Sequence, residues 1–133
     1  MKQITTKDIG RLGEKLAARQ LRRQRCRILA KNRQCGKNEL DLVVRDGSYI
    51  AFVEVKTLTF STEADMAERR PSLAVDQAKR QRTVTAMRRY LREHPTKLIP
   101  RLDVVEVYLD RETLKPIRIH HIPGAFGADG SSY

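Results

Sequence analysis

The chain has 133 residues, of which 27 are Lys or Arg and 16 are Asp or Glu, so its net charge is +11 at pH 7. Hydrophobic residues make up 40%, enough for one modest core, and we predict a single domain over residues 1–123 with a frayed tail over 124–133. No apolar run reaches the roughly 18 residues of a membrane-spanning helix, and no signal peptide is recognisable, which predicts a cytoplasmic protein without a membrane partner. The basic excess favours a nucleic acid as partner.

The N-terminal half is predicted to form a helix and three strands. The helix is expected over residues 6–24, where apolar residues recur at helical spacing and Thr6 with Asp8 offers N-cap chemistry. The two cysteines have no metal-binding spacing and are interpreted as free thiols. Short β-branched and apolar runs predict strands over 26–32, 39–45 and 48–56.

The C-terminal half is predicted to form a long loop, a second helix and further strands. Residues 57–72 show no periodicity and are expected to be a mobile loop. A helix is predicted over 73–93, because His94 precedes a proline and such residues avoid helical angles. Strands follow over 102–109 and, as an additional C-terminal strand, over 117–122. The order α-β-β-β-α-β, with or without that last strand, predicts an α/β fold in which helices pack on a mixed sheet.

The predicted hairpin gathers charge at one end of one face. Asp46-Gly47 is typical of a two-residue type I′ turn, which would place Glu39 opposite Glu54 and Asp41 opposite Phe52. Side chains alternate across a strand, so one face receives the polar residues Glu39, Asp41, Glu54 and Lys56, followed nearer the turn by Val43, Ile50 and Phe52. The opposite face receives Leu40, Leu42, Val44, Ala51, Val53 and Val55. The hairpin is therefore expected to be buried on both faces except at the charged corner.

Three carboxylates and a lysine at such a corner indicate a metal site. Crowded carboxylates repel one another and lose hydration, and a hard divalent cation such as Mg²⁺ or Mn²⁺ compensates them through oxygen ligands. We predict that Asp41 and Glu54 bind the metal and that Lys56 orients the attacking water in phosphodiester hydrolysis, with Glu39 as a further catalytic carboxylate. The competing interpretation is a solvated hairpin face carrying cross-strand Glu/Lys pairs.

These residues resemble a known nuclease motif. Glu39-Leu40-Asp41-Leu42, with Glu54-Val55-Lys56 beginning 13 residues after Asp41, is similar to the PD-(D/E)xK core of restriction endonucleases and archaeal Holliday junction resolvases. More closely, the chain resembles the YraN-like family of small bacterial proteins. The segments that carry this resemblance are Gly10-Arg11-Leu12-Gly13-Glu14, Asn32-Arg33, Glu39 to Leu42, Phe52 to Lys56, Ala74-Val75 with Lys79, and Arg101 to Val105. Asn38 and Thr57 depart from it, where the family usually has Gly and a basic residue.

The resemblance implies a restriction-endonuclease-like three-layer fold, a nuclease-like domain and a metal site that Glu14 joins from the first helix. It also implies DNA, duplex or branched, rather than RNA as the substrate, and a homodimer, since junction resolvases of this fold act as dimers. Independently, helical spacing puts Gln77 on the apolar stripe of the second helix, as a hydrogen-bonded core residue or as support for the active-site water or the hairpin backbone. The same spacing turns Lys79 outward as a phosphate contact. The remaining nucleic-acid contacts are predicted at Arg22, Arg23, Arg80 and Arg82.

Three functions are consistent with the sequence. The first is a Mg²⁺- or Mn²⁺-dependent endodeoxyribonuclease. The second is a nucleic-acid-binding module that keeps the nuclease fold without cleaving, and the third is a basic protein associated with RNA or the ribosome. The intact set of Asp41, Glu54 and Lys56 favours the first over the second, because a retired site has no physical need for crowded carboxylates.

Overall fold

The computed structural model describes residues 3–69 and 76–128. The predicted start of the second helix and the last residues of the predicted tail lie outside these ranges. The elements, in chain order, are α1 (Thr6–Arg23), β1 (Arg27–Cys35), β2 (Asn38–Asp46), β3 (Tyr49–Phe60), α2 (Glu63–Glu68), α3 (Gln77–Glu93), β4 (Ile99–Asp110) and β5 (Pro116–Ile122). The predicted α/β class is confirmed, and so is the additional C-terminal strand. Among the described helices, none is long and apolar enough to cross a membrane.

The strands form one five-stranded mixed sheet in the order β1-β2-β3-β4-β5. β3 and β4 pair in parallel, while the other neighbours pair antiparallel. The parallel pair requires a crossover connection, and this connection contains α3. α1 packs on one face of the sheet and α3 on the other, so the molecule has three layers.

Each helix covers its own apolar cluster. On the α1 side, residues such as Leu16 and Leu21 pack against Val44 and Val107, and on the α3 side Tyr90 meets Phe52 edge to face at 5.6 Å. The predicted division of the hairpin between two faces is confirmed with one exception. Leu40 packs with the α3 cluster instead of with Leu42, because the alternation of β2 breaks between these residues.

The ends of α1 depart slightly from expectation. The N-cap is Thr5, one residue before the predicted Thr6: its hydroxyl accepts the Asp8 N–H at 3.1 Å, and the Asp8 carboxylate accepts the Thr5 N–H at 2.9 Å. This reciprocal capping box satisfies two backbone donors that a helix start leaves unpaired. The predicted pairing of Asp8 with the cap is therefore right, although the cap residue is wrong by one position.

Two segments predicted to be irregular contain order. Residues 57–60 continue β3 beside β4, and α2 follows, so the predicted loop over 57–72 is wrong where the structure describes it. Phe60 is buried, stacks on Tyr108 at 5.2 Å and lies under the Arg69 guanidinium at 4.7 Å. At the other end of the chain, Phe126 is buried and the Ala125 N–H donates to the Leu102 carbonyl. The beginning of the predicted tail is therefore packed rather than frayed.

Candidate active site

The β2–β3 hairpin has a different register from the predicted one. Asp46 pairs with Tyr49 and Leu42 with Val53, so the two-residue loop is Gly47-Ser48, and Gly47 has a φ of 60°. Ser48 does not have a positive φ, so the loop is typical of a type II′ turn rather than the predicted type I′ turn, which needs positive φ at both loop positions. The predicted register was wrong by two residues, an even number that does not exchange the two faces of the hairpin, and Leu40 remains the one exception. The consequence is that Asp41 comes beside Glu54 rather than opposite Phe52.

Asp41 lies where the two strands separate. The β2–β3 register ends at Leu42 and Val53, and the N–H of Val55, two residues after Val53, donates to Asp41 Oδ2 at 2.9 Å. The carboxylate thus accepts a backbone donor that has left the ladder. Burial raises the pKa of Asp41, and the Val55 hydrogen bond partly offsets that rise. The side chain is consequently fixed at the mouth of the opening between the strands.

Glu54 is the most buried acid of the site, with only 4% of its surface exposed. Two side chains of α3 contact it: Lys79 Nζ lies 3.3 Å from Oε1, and the Thr83 hydroxyl donates to Oε2 at 3.3 Å. Burial, reinforced by the negative charge of Asp41, raises the pKa of Glu54 to about 7. Lys79 and Thr83 act in the opposite direction but do not cancel the rise. Two acids therefore share a poorly hydrated site, and the positive charge of Lys79 compensates them only in part.

α1 supplies a third acid because its backbone lies close to β3. A Cβ on Gly13 would overlap the Thr57 hydroxyl, so only glycine allows this approach. The next residue, Glu14, is half-buried, and its pKa is raised by burial and by the charge of Asp41. Arg11 Nη1 lies 3.4 Å from Glu14 Oε2, and its positive charge partly offsets the rise in the pKa of Glu14.

These residues surround an open pocket of about 260 Å³. Its lining comprises Thr6, Ile9, Gly10, Glu14, Asp41, Glu54, Val55, Lys56, Thr57 and Lys79. Of the predicted catalytic and metal-binding residues, Asp41, Glu54, Lys56 and Glu14 thus meet in one place. Glu39 is not among the lining residues. Its side chain is 40% exposed, and its Oε1 lies 3.7 Å from Arg11 Nη1.

Two predictions for α3 are wrong. Gln77 is exposed at the first position of the helix, whereas Lys79, predicted to face outward, reaches Glu54. At 100° per residue, Lys79 lies about 50° from the centre of the buried face and Gln77 about 110° from it. The predicted stripe of Leu73, Val84, Met87 and Leu91 omits Thr83, Ala86 and Tyr90, which are buried on the side of the helix that Lys79 shares. Leu73 itself lies outside the described residues.

The predicted basic contacts are spread over the surface. Arg82 is exposed on α3, near the pocket end of that helix, while the Arg80 guanidinium lies over the Phe126 ring at 5.6 Å. Arg22 and Arg23 are in the last turn of α1, at least eight residues and therefore about 12 Å along the helix from Glu14. The structure brings neither of them to the pocket.

Thr83 and Arg11 are site residues that the sequence analysis did not single out. The i, i+3 spacing of Arg11 and Glu14 in the first helix was an available signal. Thr83 had no comparable signal, because its role depends on how α3 packs across β3.

The donor set fits a hard divalent cation. Asp41 and Glu54 offer carboxylate oxygens beside an open pocket, and Mg²⁺ is commonly held by one or two carboxylates while it keeps several waters. Across residues 3–69 and 76–128, no group of three His, Cys, Asp or Glu side chains forms a ready-made cage. The residues that would hold the cation are therefore Asp41 and Glu54, with Glu14 as the neighbouring acid on α1.

Comparison with known proteins shows the family of this chain. A model described as "Uncharacterised protein family UPF0102" matches residues 13–107, which include both acids and Lys56. The chain is 39% identical over 127 residues to a UPF0102 protein of Caldanaerobacter subterraneus subsp. tengcongensis, covering 95% of this chain and 100% of that protein. It is 40% identical over 119 residues to a UPF0102 protein of Frankia casuarinae, covering 89% and 95% respectively. The chain therefore belongs to the UPF0102 family, the YraN-like family that its motifs resemble.

Proposed function

We propose that this protein is a Mg²⁺- or Mn²⁺-dependent endonuclease that hydrolyses phosphodiester bonds in duplex or branched DNA. The observation that carries the proposal is a pair of carboxylates, the buried Glu54 and the partly buried Asp41, which line one open pocket together with Lys56. Without a cation this pair is costly, because burial and mutual repulsion raise the pKa of both acids. A site that is costly when empty favours a function over a purely structural role.

The chain's own groups have separate tasks in this proposal. A bound Mg²⁺ or Mn²⁺ would supply Lewis-acid polarisation of the substrate phosphate and a more acidic water. Asp41, fixed by the Val55 N–H, and Glu54, fixed by Thr83, would hold the cation. Lys56, two residues after Glu54 on β3, lies at the pocket wall, where its ammonium orients the attacking water and offsets charge that develops on the phosphate.

Lys79 links the acids to the substrate. In the absence of a cation its ammonium is the counter-charge of Glu54 at 3.3 Å. With a divalent cation held by the acids, Lys79 would be available for a substrate phosphate in the same pocket. This role keeps Lys79 among the nucleic-acid contacts, although from inside the pocket rather than from the outer face of α3.

DNA as the substrate is supported by charge. The net charge of +11 favours a polyanion, and the exposed Arg82 on α3 extends the basic surface beyond the pocket. Tryptophan is absent and aromatic residues make up only 5% of the chain, which is unfavourable for binding single strands by base stacking. Duplex and branched DNA are therefore proposed ahead of single strands and RNA.

The test is a cleavage assay with Mn²⁺ on duplex, forked, four-way-junction and single-stranded DNA and on RNA. We expect wild type to cut duplex or branched DNA, Asp41→Asn to bind the same DNA without cutting it, and chelation by EDTA to abolish cutting. Glu112→Gln removes a carboxylate from an exposed turn outside the pocket and is the matched control. Binding of DNA by wild type without any cutting would favour the non-catalytic binding module, and selective binding of RNA would favour the third function.

A further inference from the structure

A row of polar side chains continues from the candidate active site across the sheet. Lys56 on β3 is the register partner of Glu106 on β4, and Glu106 is the register partner of His120 on β5. Register partners on neighbouring strands project to the same face, so all three lie on the α3 side of the sheet. With strands about 4.8 Å apart, the backbones at Lys56 and His120 are about 10 Å from each other.

The last two members of the row form a pair. Glu106 is fully buried, and its Oε1 lies 3.0 Å from Nδ1 of His120. A carboxylate oxygen accepts, so Nδ1 donates and the other ring nitrogen, Nε2, is directed away from Glu106. The His120 side chain is 44% exposed, which leaves this second nitrogen accessible from outside.

The adjacent residue, His121, provides an internal contrast. It contacts the other fully buried acid of β4, Asp103, through Nε2 at 2.7 Å, but its Nδ1 is also engaged by Gln24 at 3.1 Å. Only 7% of its side chain is exposed, and Asp103 is further held by Arg101. The Asp103–His121 pair is thus closed and ties β4 and β5 to the end of α1, whereas the Glu106–His120 pair is open.

His120 opens into a second pocket, which has a volume of about 320 Å³. Arg118 and Tyr108 line it together with Met66 and Ala67 of α2. The Arg118 guanidinium lies over the Tyr108 ring at 5.6 Å, which holds the cation at the pocket wall. A guanidinium and an imidazole converge here, and guanidinium groups are well suited to phosphate.

We propose that Arg118 and His120 form a subsite for a backbone phosphate of bound nucleic acid, separate from the phosphate that is cleaved. The inference rests on the proposed function, because it extends the same nucleic-acid path across β4 and β5. The separation of about 10 Å from Lys56 places the subsite apart from the phosphate that is cleaved. The buried Glu106 holds the His120 ring in place, and Arg118 supplies the permanent positive charge.

The first test measures binding of a fluorescein-labelled duplex by anisotropy, in EDTA and over a range of salt concentrations. Arg118→Ala should bind about tenfold more weakly than wild type, as expected for the loss of one charged hydrogen bond. It should also reduce the slope of log affinity against log salt by about 0.9, the value for one phosphate contact. His120→Asn should weaken binding in the same direction. Lys115→Ala is the control: it removes an exposed cation that lies near the same strand but outside the pocket, and it should bind like wild type.

The second test follows the imidazole resonances of His120 and His121 by NMR during titration with the duplex and, separately, with inorganic phosphate. A shift of His120 alone on addition of DNA supports the subsite. If wild type binds DNA but Arg118→Ala and His120→Asn match Lys115→Ala, the subsite is overturned while the proposed function stands. If wild type binds no DNA, the proposed function fails. The phosphate titration then shows whether Arg118 and His120 bind phosphate at all. A saturable shift of His120 alone identifies a site for free phosphate, and the absence of any shift overturns the subsite.

Discussion

Replacing Glu54 by Gln is expected to stabilise the metal-free protein at pH 8. The folded-state pKa of Glu54 is about 7, above its ordinary value of 4.5, so the folded protein retains a proton that the unfolded chain releases between these pH values. Stability therefore falls as pH rises through this window, and the penalty is complete above pH 7. At about 1.4 kcal/mol per pKa unit, it amounts to roughly 3 kcal/mol. Glutamine cannot ionise, so the Glu54→Gln variant does not incur this loss of stability.

The assay is urea denaturation of both proteins in EDTA at pH 5 and pH 8. The Gln variant should be more stable than wild type by up to about 3 kcal/mol at pH 8 and by less than about 1 kcal/mol at pH 5. Addition of Mn²⁺ at pH 8 should stabilise wild type but not the variant, because only a protein that binds the ligand gains from it. A variant less stable than wild type at pH 8 in EDTA would refute the reasoning, since the acid would then be a net stabilising partner of Lys79.

Four other substitutions test the surroundings of the site. Gly13→Ala should destabilise by about 1–3 kcal/mol, because its Cβ would overlap a β3 side chain, whereas Gly10→Ala, with open space around it, should stabilise by about 1 kcal/mol. Urea denaturation compares the two, and equal stabilisation would mean that α1 does not lie so close to β3. Lys79→Gln should tighten Mn²⁺ binding about fivefold in calorimetry, because it removes an ammonium 3.3 Å from Glu54, and an unchanged affinity would contradict this. Lys56→Arg should bind metal and DNA normally but cleave about 100-fold more slowly, because the larger planar group misplaces the water; equal cleavage rates would make Lys56 an ordinary charge partner.

Strand alternation was sufficient to predict the central pair of acids. Asp41 and Glu54 project from one face in any register that differs by an even number of residues, so an error in the turn did not separate them. Their distance along the hairpin could not be predicted, because Asp46-Gly47 and Gly47-Ser48 are both acceptable two-residue turns. The end of the β2–β3 pairing at Leu42 had no sequence signal. Beyond that pair, the Asp41 side chain accepts the Val55 N–H in place of a backbone carbonyl.

The contribution of α3 was predicted less well. The predicted stripe omitted three buried residues, Thr83, Ala86 and Tyr90. They lie on the side of the helix that Lys79 shares, so omitting them moved the predicted buried face toward Gln77 and turned Lys79 outward. Asp76, whose carboxylate accepts the Lys79 N–H at 2.8 Å, was not recognised as the N-cap. The link between Thr83 and Glu54 depends on tertiary packing, which helical periodicity does not encode.

The central claim is that Asp41 and Glu54 bind a divalent cation, and calorimetric titration with Mn²⁺ tests it most directly. Wild type is expected to give a saturable isotherm that Glu112→Gln leaves unchanged and that Asp41→Asn abolishes. Because an asparagine oxygen can still accept the Val55 N–H, Asp41→Asn should remain folded, which urea denaturation in EDTA can verify. Wild type without measurable Mn²⁺ binding, or a folded Asp41→Asn variant with wild-type affinity, would contradict the assignment.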